Sequence, residues 1–212
     1  KEITNKNIIK LVDRCQKAQE GFEEKVRITS EKYGKVMTTQ KDLMYIQRNM
    51  ILDTSDVKTL FDRIVPSYTD YLINNCSIDE ISSSLDGIID TKGLDTTSKE
   101  SLRESINSSV LSKIKASISL VDNNEKVRKN MLNVVDTYWI DHLDRLEDLK
   151  KQTSFYTLSG VDPFKEYEHM ANNEFISLNP KIQGEFLLYA TNPDLKFGRI
   201  ISPEMEGGMY LK

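Results

Sequence analysis

The sequence predicts an all-α fold, and three observations lead to that prediction. Nine glycines and five prolines in 212 residues are fewer than a fold of short strands and turns would need. No proline interrupts 5–53, where apolar residues recur at helical spacing. Helical spacing returns in 124–152 and again after 163. We therefore expect a very long helix, an inserted small helical subdomain and an antiparallel pair of helices.

The predicted long helix over 5–53 is roughly 70 Å long at ~1.5 Å per residue. Every seventh residue gives a heptad-like stripe that is apolar at all positions but Thr29: Ile8, Cys15, Phe22, Thr29, Val36, Leu43 and Met50. A helix of this length needs several other elements to line it, and a two-chain coiled coil is the alternative. Gly21 and Gly34 are expected to mark close helix crossings.

The middle of the chain is rich in Ser, Thr, Asp and Gly. Ser77 and Glu80 form a capping-box pattern, and Thr97 or Ser98 is expected to cap a further helix. Pro66 is expected to kink or end the first helix of this section. These features predict a small helical subdomain with a thin core and without a catalytic constellation.

A second amphipathic helix is predicted over 124–152, followed by a connector of about ten residues. Asp162 before Pro163 is typical of a helix N-terminus, so another helix should begin there. The two helices are expected to run antiparallel, with the tip of the hairpin near Tyr156. Pro180 is expected to kink or break the second of them.

Charge and composition argue against several classes of protein. The net charge of -4 provides no basic field for nucleic acid. Cys15 and Cys76 are typical of free thiols in a reducing compartment. No apolar run approaches the ~20 residues that a membrane span needs, and no signal peptide is visible. The sequence begins at Lys1 without an initiator methionine, so we expect a segment of a longer protein.

The only tryptophan, Trp139, lies three residues before His142, so both share a helix face. This pattern favours a packing seam over a catalytic site. A metal site formed by His142, His169 and Glu166 is a minor alternative, because their spacing matches no tight ligand motif. No metal ligand set and no catalytic residue is therefore predicted.

Two sets of residues carry a family resemblance. The C-terminal set comprises Asp136, Trp139, His142, Leu143, Leu149, Asp162, Pro163, Glu166 and Tyr167. The N-terminal set comprises Arg14, Gln16, Glu20, Gly21, Arg27, Tyr33, Val36, Met37, Gln40, Tyr45 and Arg48. Each set aligns without a gap, and together they flank a variable middle section. In these residues the chain resembles the C-terminal region of SecA, the ATP-driven motor of bacterial preprotein export.

The chain also departs from the family pattern. Gly34 and Lys35 stand where the family has two acidic residues, and 151–154 reads "KQTS" where the family has "RQGI". The position of the usual loop tyrosine is Leu158. These departures indicate an accessory SecA that exports a restricted set of substrates.

The resemblance implies a division of the chain into named parts. These are a long helix of the helical scaffold at 1–54, a helical wing at 55–123, the continued scaffold with a two-helix finger at 124–192 (loop 152–162), and a loosely ordered C-terminal tail at 193–212.

The resemblance also implies a mechanism and partners. The longer parent would be a protein-transporting ATPase that binds ATP and Mg²⁺ in nucleotide-binding domains absent from this sequence. The segment itself lacks the "GxxxxGK[ST]" phosphate loop and is expected to hold no cofactor. Its partners would be a preprotein, a SecY-type membrane channel, its own nucleotide-binding domains and, as a further candidate, a second copy. It would work in the cytoplasm at the inner face of the bacterial membrane.

Two groups of residues are assigned roles by the resemblance. The substrate polypeptide would contact the loop side chains Phe155, Tyr156 and Leu158. Coupling between domains would involve Arg27, Tyr33, Arg48, Trp139 and His142. Two alternatives remain open: a helical scaffold or coiled-coil interaction protein without motor activity, and a polypeptide-binding chaperone that uses the hairpin tip.

Overall fold

The computed structural model describes residues 6–119 and 123–195, without the side chains of Leu158 and Ser159. The residues it describes contain no β-strand, which confirms the all-α prediction. The α-helices are α1 Lys6–Asp53, α2 Lys58–Asn75, α3 Ile78–Ser84, α4 Lys99–Ile118, α5 Asn123–Thr153 and α6 Pro163–Thr191. Short 3₁₀ helices span Thr91–Gly93 and Ser154–Ser159. Most of the expected tail, 193–212, lies outside the described residues.

Two compact units can be distinguished, and their boundaries fall within the long helices. Unit 1 comprises Lys1–Tyr45 and Asp141–Ile176. Unit 2 comprises Ile46–Ile140 and Ser177–Lys212.

Helix α1 extends from Lys6 to Asp53, close to the predicted bounds, but its buried face differs from the predicted stripe. From Lys6 to Lys32 every side chain is exposed except the half-buried Gly21. Burial starts near residue 33, and the buried residues are Val36, Gln40, Met44 and Ile51, whereas Leu43 and Met50 of the predicted stripe are exposed. A Cβ atom at Gly21 or Gly34 would meet nothing within 4 Å, so neither glycine marks a close crossing among the described residues.

The helix starts follow the local sequence. Ser77 and Glu80 form the predicted capping box, in which each side chain bonds the other residue's backbone N–H. Ser98 caps α4 by accepting a hydrogen bond from the backbone N–H of Ser101. Asp162 accepts a hydrogen bond from the Phe164 N–H at 3.0 Å, directly before the proline that opens α6.

Both internal prolines lie inside continuous helices, so of the two predicted outcomes, a kink or an end, the end is wrong. Pro66 lies within α2, and Pro180 lies within α6, which continues to Thr191. A proline inside a helix removes one backbone hydrogen bond and introduces a steric conflict. Burial on both sides of Pro180 offsets this cost, because Leu178, Ile182 and Phe186 are all buried.

Unit 2 has a larger core than the sequence predicted. The expectation of a thin core is wrong because α4 carries an apolar side chain at every fourth position, and all of them are buried: Leu102, Ile106, Val110, Ile114 and Ile118. Helix α2 adds a second buried set: Phe61, Val65, Tyr68, Thr69, Leu72 and Ile73. The two helices are also joined by an ion pair at 2.6 Å between Arg103 and Asp70.

The end of α6 belongs to unit 2. Gln183 donates a hydrogen bond to Ser67 at 3.1 Å, and Asn192 donates to the Gly87 carbonyl at 3.0 Å. At Gly184 the absent side chain makes room for Tyr68, whose hydroxyl oxygen lies 2.9 Å from the place a Cβ would occupy.

Unit 1 contains parts of α1, α5 and α6 around a small core. Its apolar cluster consists of the buried residues Val36, Leu146, Leu149, Tyr167 and Ala171. Gln40 on α1 is joined to His142 and Ala171, and Tyr33 contacts Tyr167. Residue numbers on α6 therefore rise with those on α1, which makes these two helices parallel. His142 on α5 lies beside Phe175 on α6, and Arg145 pairs with Glu174, so residue numbers fall on α6 as they rise on α5 and the two helices run antiparallel. We refer to residues 141–176 as the α5–α6 hairpin.

Candidate functional site

The centre of unit 1 is a hydrogen-bonded polar group. Gln40 and His142 are each 2% exposed, and the Nε2 atom of His142 lies 2.8 Å from Oε1 of Gln40. The Gln40 amide nitrogen donates to the Ala171 carbonyl and to Oδ1 of Asn172, both at 3.2 Å. One carboxamide thus joins α1 to both helices of the α5–α6 hairpin.

This arrangement fixes the hydrogen-bonding role of His142. Because the amide nitrogen of Gln40 donates twice to α6, its oxygen must be the atom that faces the imidazole. That oxygen can only accept, so His142 donates through an Nε2–H group. The sequence placed His142 on a packing seam, and the structure identifies Gln40 as its partner across the core.

Burial keeps His142 neutral. Burial lowers the pKa of His142 to about 4, and the carboxylate of Glu174 opposes this shift. The ring also lies 5.5 Å from the ring of Phe175, centroid to centroid. Arg145 neutralises Glu174 through an ion pair at 3.1 Å. A neutral, hydrogen-bonded imidazole of this kind is suited to fixing helices in place.

Aromatic side chains surround Tyr33 near the tip of the hairpin. The Tyr33 ring lies 4.6 Å from that of Tyr167 and 5.3 Å from that of Phe164, with edge-to-face geometry for Phe164. The Lys150 ammonium group is 5.1 Å above the Tyr33 ring. Burial raises the pKa of Tyr33, whose side chain is hydrogen-bonded to Thr153.

Thr153 connects this aromatic group to the end of α5. It is fully buried, and its hydroxyl donates to the Leu149 carbonyl at 2.8 Å. Sequence reasoning missed Thr153 because a threonine at a helix end has many local uses.

The tip of the hairpin is more regular than the predicted loop. A 3₁₀ helix follows α5 directly at Ser154–Ser159, and Gly160 then adopts a φ of 75°, a left-handed conformation that glycine tolerates. Phe155 is 70% exposed, whereas Tyr156 is half-buried. The side chain of Leu158, the third predicted contact residue, lies outside the described residues.

The remaining predicted coupling residues have separate environments. Arg48 of unit 2 donates to Asp136 at 3.0 Å, which joins α1 to α5 within that unit. Trp139 is half-buried on α5, and Arg27 lies on the exposed part of α1. The structure therefore brings Arg48, Gln40 and Tyr33 each into contact with a residue of the C-terminal motif set, whereas Arg27 is exposed.

A metal site is not supported by the residues that the structure describes. Within 6–119 and 123–195 no three His, Cys, Asp or Glu side chains form a group that could hold a metal ion. His142 is engaged with Gln40, while the exposed His169 lies 3.3 Å from the side-chain nitrogen of Asn173. The described helices also include none that is long and apolar enough to cross a membrane.

Comparison with known proteins identifies the family. Residues 2–192 match the SecA Wing and Scaffold domain, and the chain therefore belongs to the SecA family of wing and scaffold segments. This confirms the resemblance drawn from the two motif sets.

Individual relatives agree with this assignment. The chain is 29% identical over 205 residues to "Protein translocase subunit SecA 2" of Clostridioides difficile, an alignment covering 88% of this chain and 26% of that protein. It is 25% identical over 206 residues to "Protein translocase subunit SecA" of Clostridium acetobutylicum, with coverage of 88% and 25%. For the Geobacter sulfurreducens "Protein translocase subunit SecA" the identity is 27% over 204 residues, with coverage of 86% and 22%. The chain thus spans about a quarter of the length of these relatives.

Proposed function

We propose that this chain is the wing and scaffold part of a preprotein translocase, and that the α5–α6 hairpin is the two-helix finger that contacts the moving polypeptide. The observation that carries the proposal is an exposed aromatic side chain at the tip of this hairpin. Phe155 is 70% exposed, and directly beside it the hairpin is joined to α1 through the hydrogen bond between Tyr33 and Thr153. An exposed aromatic side chain provides a large apolar contact that is indifferent to polypeptide sequence.

The parent protein would supply the energy. ATP and Mg²⁺ would bind in nucleotide-binding domains outside this chain, and hydrolysis there would move the hairpin against a SecY-type channel. The parent would work in the cytoplasm at the inner membrane face and would be of the accessory type, with a restricted set of preproteins. The proposed division into scaffold, wing, finger and tail follows the ranges given above.

The first part of α1 is the proposed contact surface for those nucleotide-binding domains. Its exposed apolar residues are Ile8, Ile9, Leu11, Val12, Phe22, Val26 and Ile28. Side chains of this kind on one helix are typical of a surface that is covered in a larger assembly. Arg27 lies on the same part of the helix. Trp139 and Arg48 would transmit the nucleotide state along α5 and α1.

Photo-crosslinking tests the finger assignment. A photoreactive residue at Phe155 or Tyr156 of the full-length parent, with a stalled preprotein in the channel, should label the preprotein. The control position is Lys92, an exposed residue of the 3₁₀ helix Thr91–Gly93 in unit 2. Equal labelling at Lys92 and the tip, or none at the tip, would refute the assignment and favour a helical scaffold without motor activity.

A second experiment tests the coupling surface. Phe22→Glu should leave the melting temperature of the 212-residue chain unchanged, because Phe22 is 64% exposed. In the full-length parent the same change should alter the basal rate of ATP hydrolysis. The matched control is Glu24→Gln, an exposed neighbour on the same helix. Unchanged hydrolysis with Phe22→Glu would show that this surface is not a contact of the motor domains.

A further inference from the structure

The polar pair of unit 1 is flanked by apolar side chains on α1. One turn before Gln40 lies Val36, and one turn after it lies Met44, and both are buried. On the hairpin, Leu146 is buried one turn after His142, and the ring of Phe175 lies 5.5 Å from the imidazole ring, centroid to centroid. Gln40 and His142 thus recognise each other in a surrounding that offers no equivalent polar partner on α1 one turn away.

A displaced hairpin would therefore lose more than packing. If the hairpin moved along α1 by one helical turn, about 5.4 Å, His142 would face Val36 or Met44. The Nε2–H group of His142 would lose its acceptor, and the buried carboxamide of Gln40 would lose its contacts with α6. Apolar side chains could repack at the new position with little loss, because aliphatic contacts are not directional. A buried hydrogen bond, in contrast, is satisfied at one position only.

We propose that Gln40 and His142 are positioning residues. They fix the position of the α5–α6 hairpin along the axis of α1 and thereby the position of its tip. Gln40 bonds to both hairpin helices at this position, because its oxygen faces His142 on α5 and its nitrogen faces Ala171 and Asn172 on α6. The polar pair contributes specificity of position, and its net contribution to stability is secondary. This inference concerns the internal geometry of unit 1, and it stands whether or not the tip contacts a preprotein.

A second polar contact joins α1 to α5 at another position. Arg48 and Asp136 form an ion pair at 3.0 Å, with side chains 35% and 50% exposed. Exposed ion pairs contribute little to stability and hold position weakly, because water competes for both charges. Variants of each contact can therefore be compared in one experiment.

The readout is a distance along the helix axis. Spin labels replace Lys17 on α1 and Lys165 on α6, both exposed, in a chain whose Cys15 and Cys76 are changed to serine. Lys165 lies at the height of Tyr33, so the labels are offset by roughly 24 Å along α1. A shift of the hairpin by one turn therefore changes the distance between labels by roughly 5 Å.

The double variant Gln40→Met with His142→Leu removes the polar pair without leaving a buried donor unpaired. We expect a melting temperature close to that of the wild type, and a distance distribution that broadens or gains a second component displaced by roughly 5 Å. The exchange variant Gln40→His with His142→Gln restores a hydrogen bond with the partners swapped. It should return the distribution to a single component, and it tests the proposal even if the apolar double variant does not fold.

Two controls separate positioning from general loosening. Val36→Ala removes buried volume but keeps the polar pair, so the melting temperature should fall while the distance distribution stays single. Arg48→Ala removes the ion pair with Asp136, and the distance distribution should again stay single. A single wild-type distance in the apolar double variant would overturn the proposal, as would broadening in Val36→Ala or Arg48→Ala equal to that in the double variant.

Discussion

The two units of the molecule are stabilised in different ways. Unit 2 buries large apolar side chains from several helices, with Phe61, Leu85, Ile106 and Phe186 almost or fully excluded from solvent. Unit 1 has a small core whose centre is a buried amide and imidazole. Loss of side-chain volume should therefore have its largest effect on stability in unit 2, whereas the stability of unit 1 should also depend on the protonation state of its buried imidazole.

The largest effect is expected for loss of volume in unit 2. Phe61→Ala should lower the free energy of unfolding by about 3–5 kcal/mol, because a fully buried aromatic side chain is replaced by a cavity. Phe155→Ala makes the same chemical change at a side chain that is 70% exposed, and it should alter stability by less than about 0.5 kcal/mol. Urea denaturation of both variants measures the difference, and similar losses would contradict the assigned burial.

Acid should destabilise unit 1 through His142. The pKa of His142 is about 4 in the folded chain and near its ordinary value of 6.5 in the unfolded chain. Between these values the unfolded chain binds a proton that the folded chain does not, so stability falls as pH falls from about 6.5 to 4 and levels off below. At 1.36 kcal/mol per unit of pKa, the loss is at most about 3 kcal/mol.

The check is urea denaturation at several pH values across that window, with the wild type beside His142→Gln. Glutamine can still bond to Gln40 but does not titrate, so the variant should lack the histidine component of the pH dependence. Because carboxyl groups contribute equally in both chains, only the difference between the two curves is diagnostic. Parallel curves would show that His142 is not the group responsible.

A smaller effect is expected where a side chain would be added in unit 2. A Cβ at Gly184 would lie 2.9 Å from the Tyr68 hydroxyl oxygen, and Tyr68 is itself buried. Gly184→Ala should cost roughly 1–2 kcal/mol, within the lower part of the overpacking range, since the clash involves the far end of a side chain. Gly93→Ala, where a Cβ meets nothing within 4 Å, is the matched control. Thermal melts that rank the two variants equally would contradict the close approach.

The smallest effect should be a gain in unit 1. Gly34 lies inside α1, and a Cβ there would meet nothing within 4 Å. Gly34→Ala should stabilise the chain by up to about 1 kcal/mol, because alanine loses less backbone entropy in a helix. Gly21→Ala should stabilise the chain by a similar amount, because a Cβ at Gly21 also meets nothing within 4 Å. A loss of stability in either variant would indicate a contact made by another copy of the chain, and measurements at two protein concentrations would identify it.

Local sequence patterns predicted the helices and many of their ends. The length of α1, the Ser77–Glu80 capping box and the Asp162–Pro163 start of α6 depend on residues within a few positions of one another, and local hydrogen bonding decides them. The family resemblance further selected Tyr33, Arg48 and His142, although it could not supply their partners.

Tertiary structure alone decided which face of α1 is buried and how its polar residues are used. Apolar spacing from Ile8 to Met50 predicted one stripe, yet burial follows Val36, Gln40 and Met44, because a helix face is buried only where another helix covers it. Gln40 and His142 are 102 positions apart, so no local period relates them. Pro180 likewise stays within α6 because distant contacts offset a local cost. Contacts of this kind depend on how the chain packs in three dimensions, and local sequence patterns do not encode them.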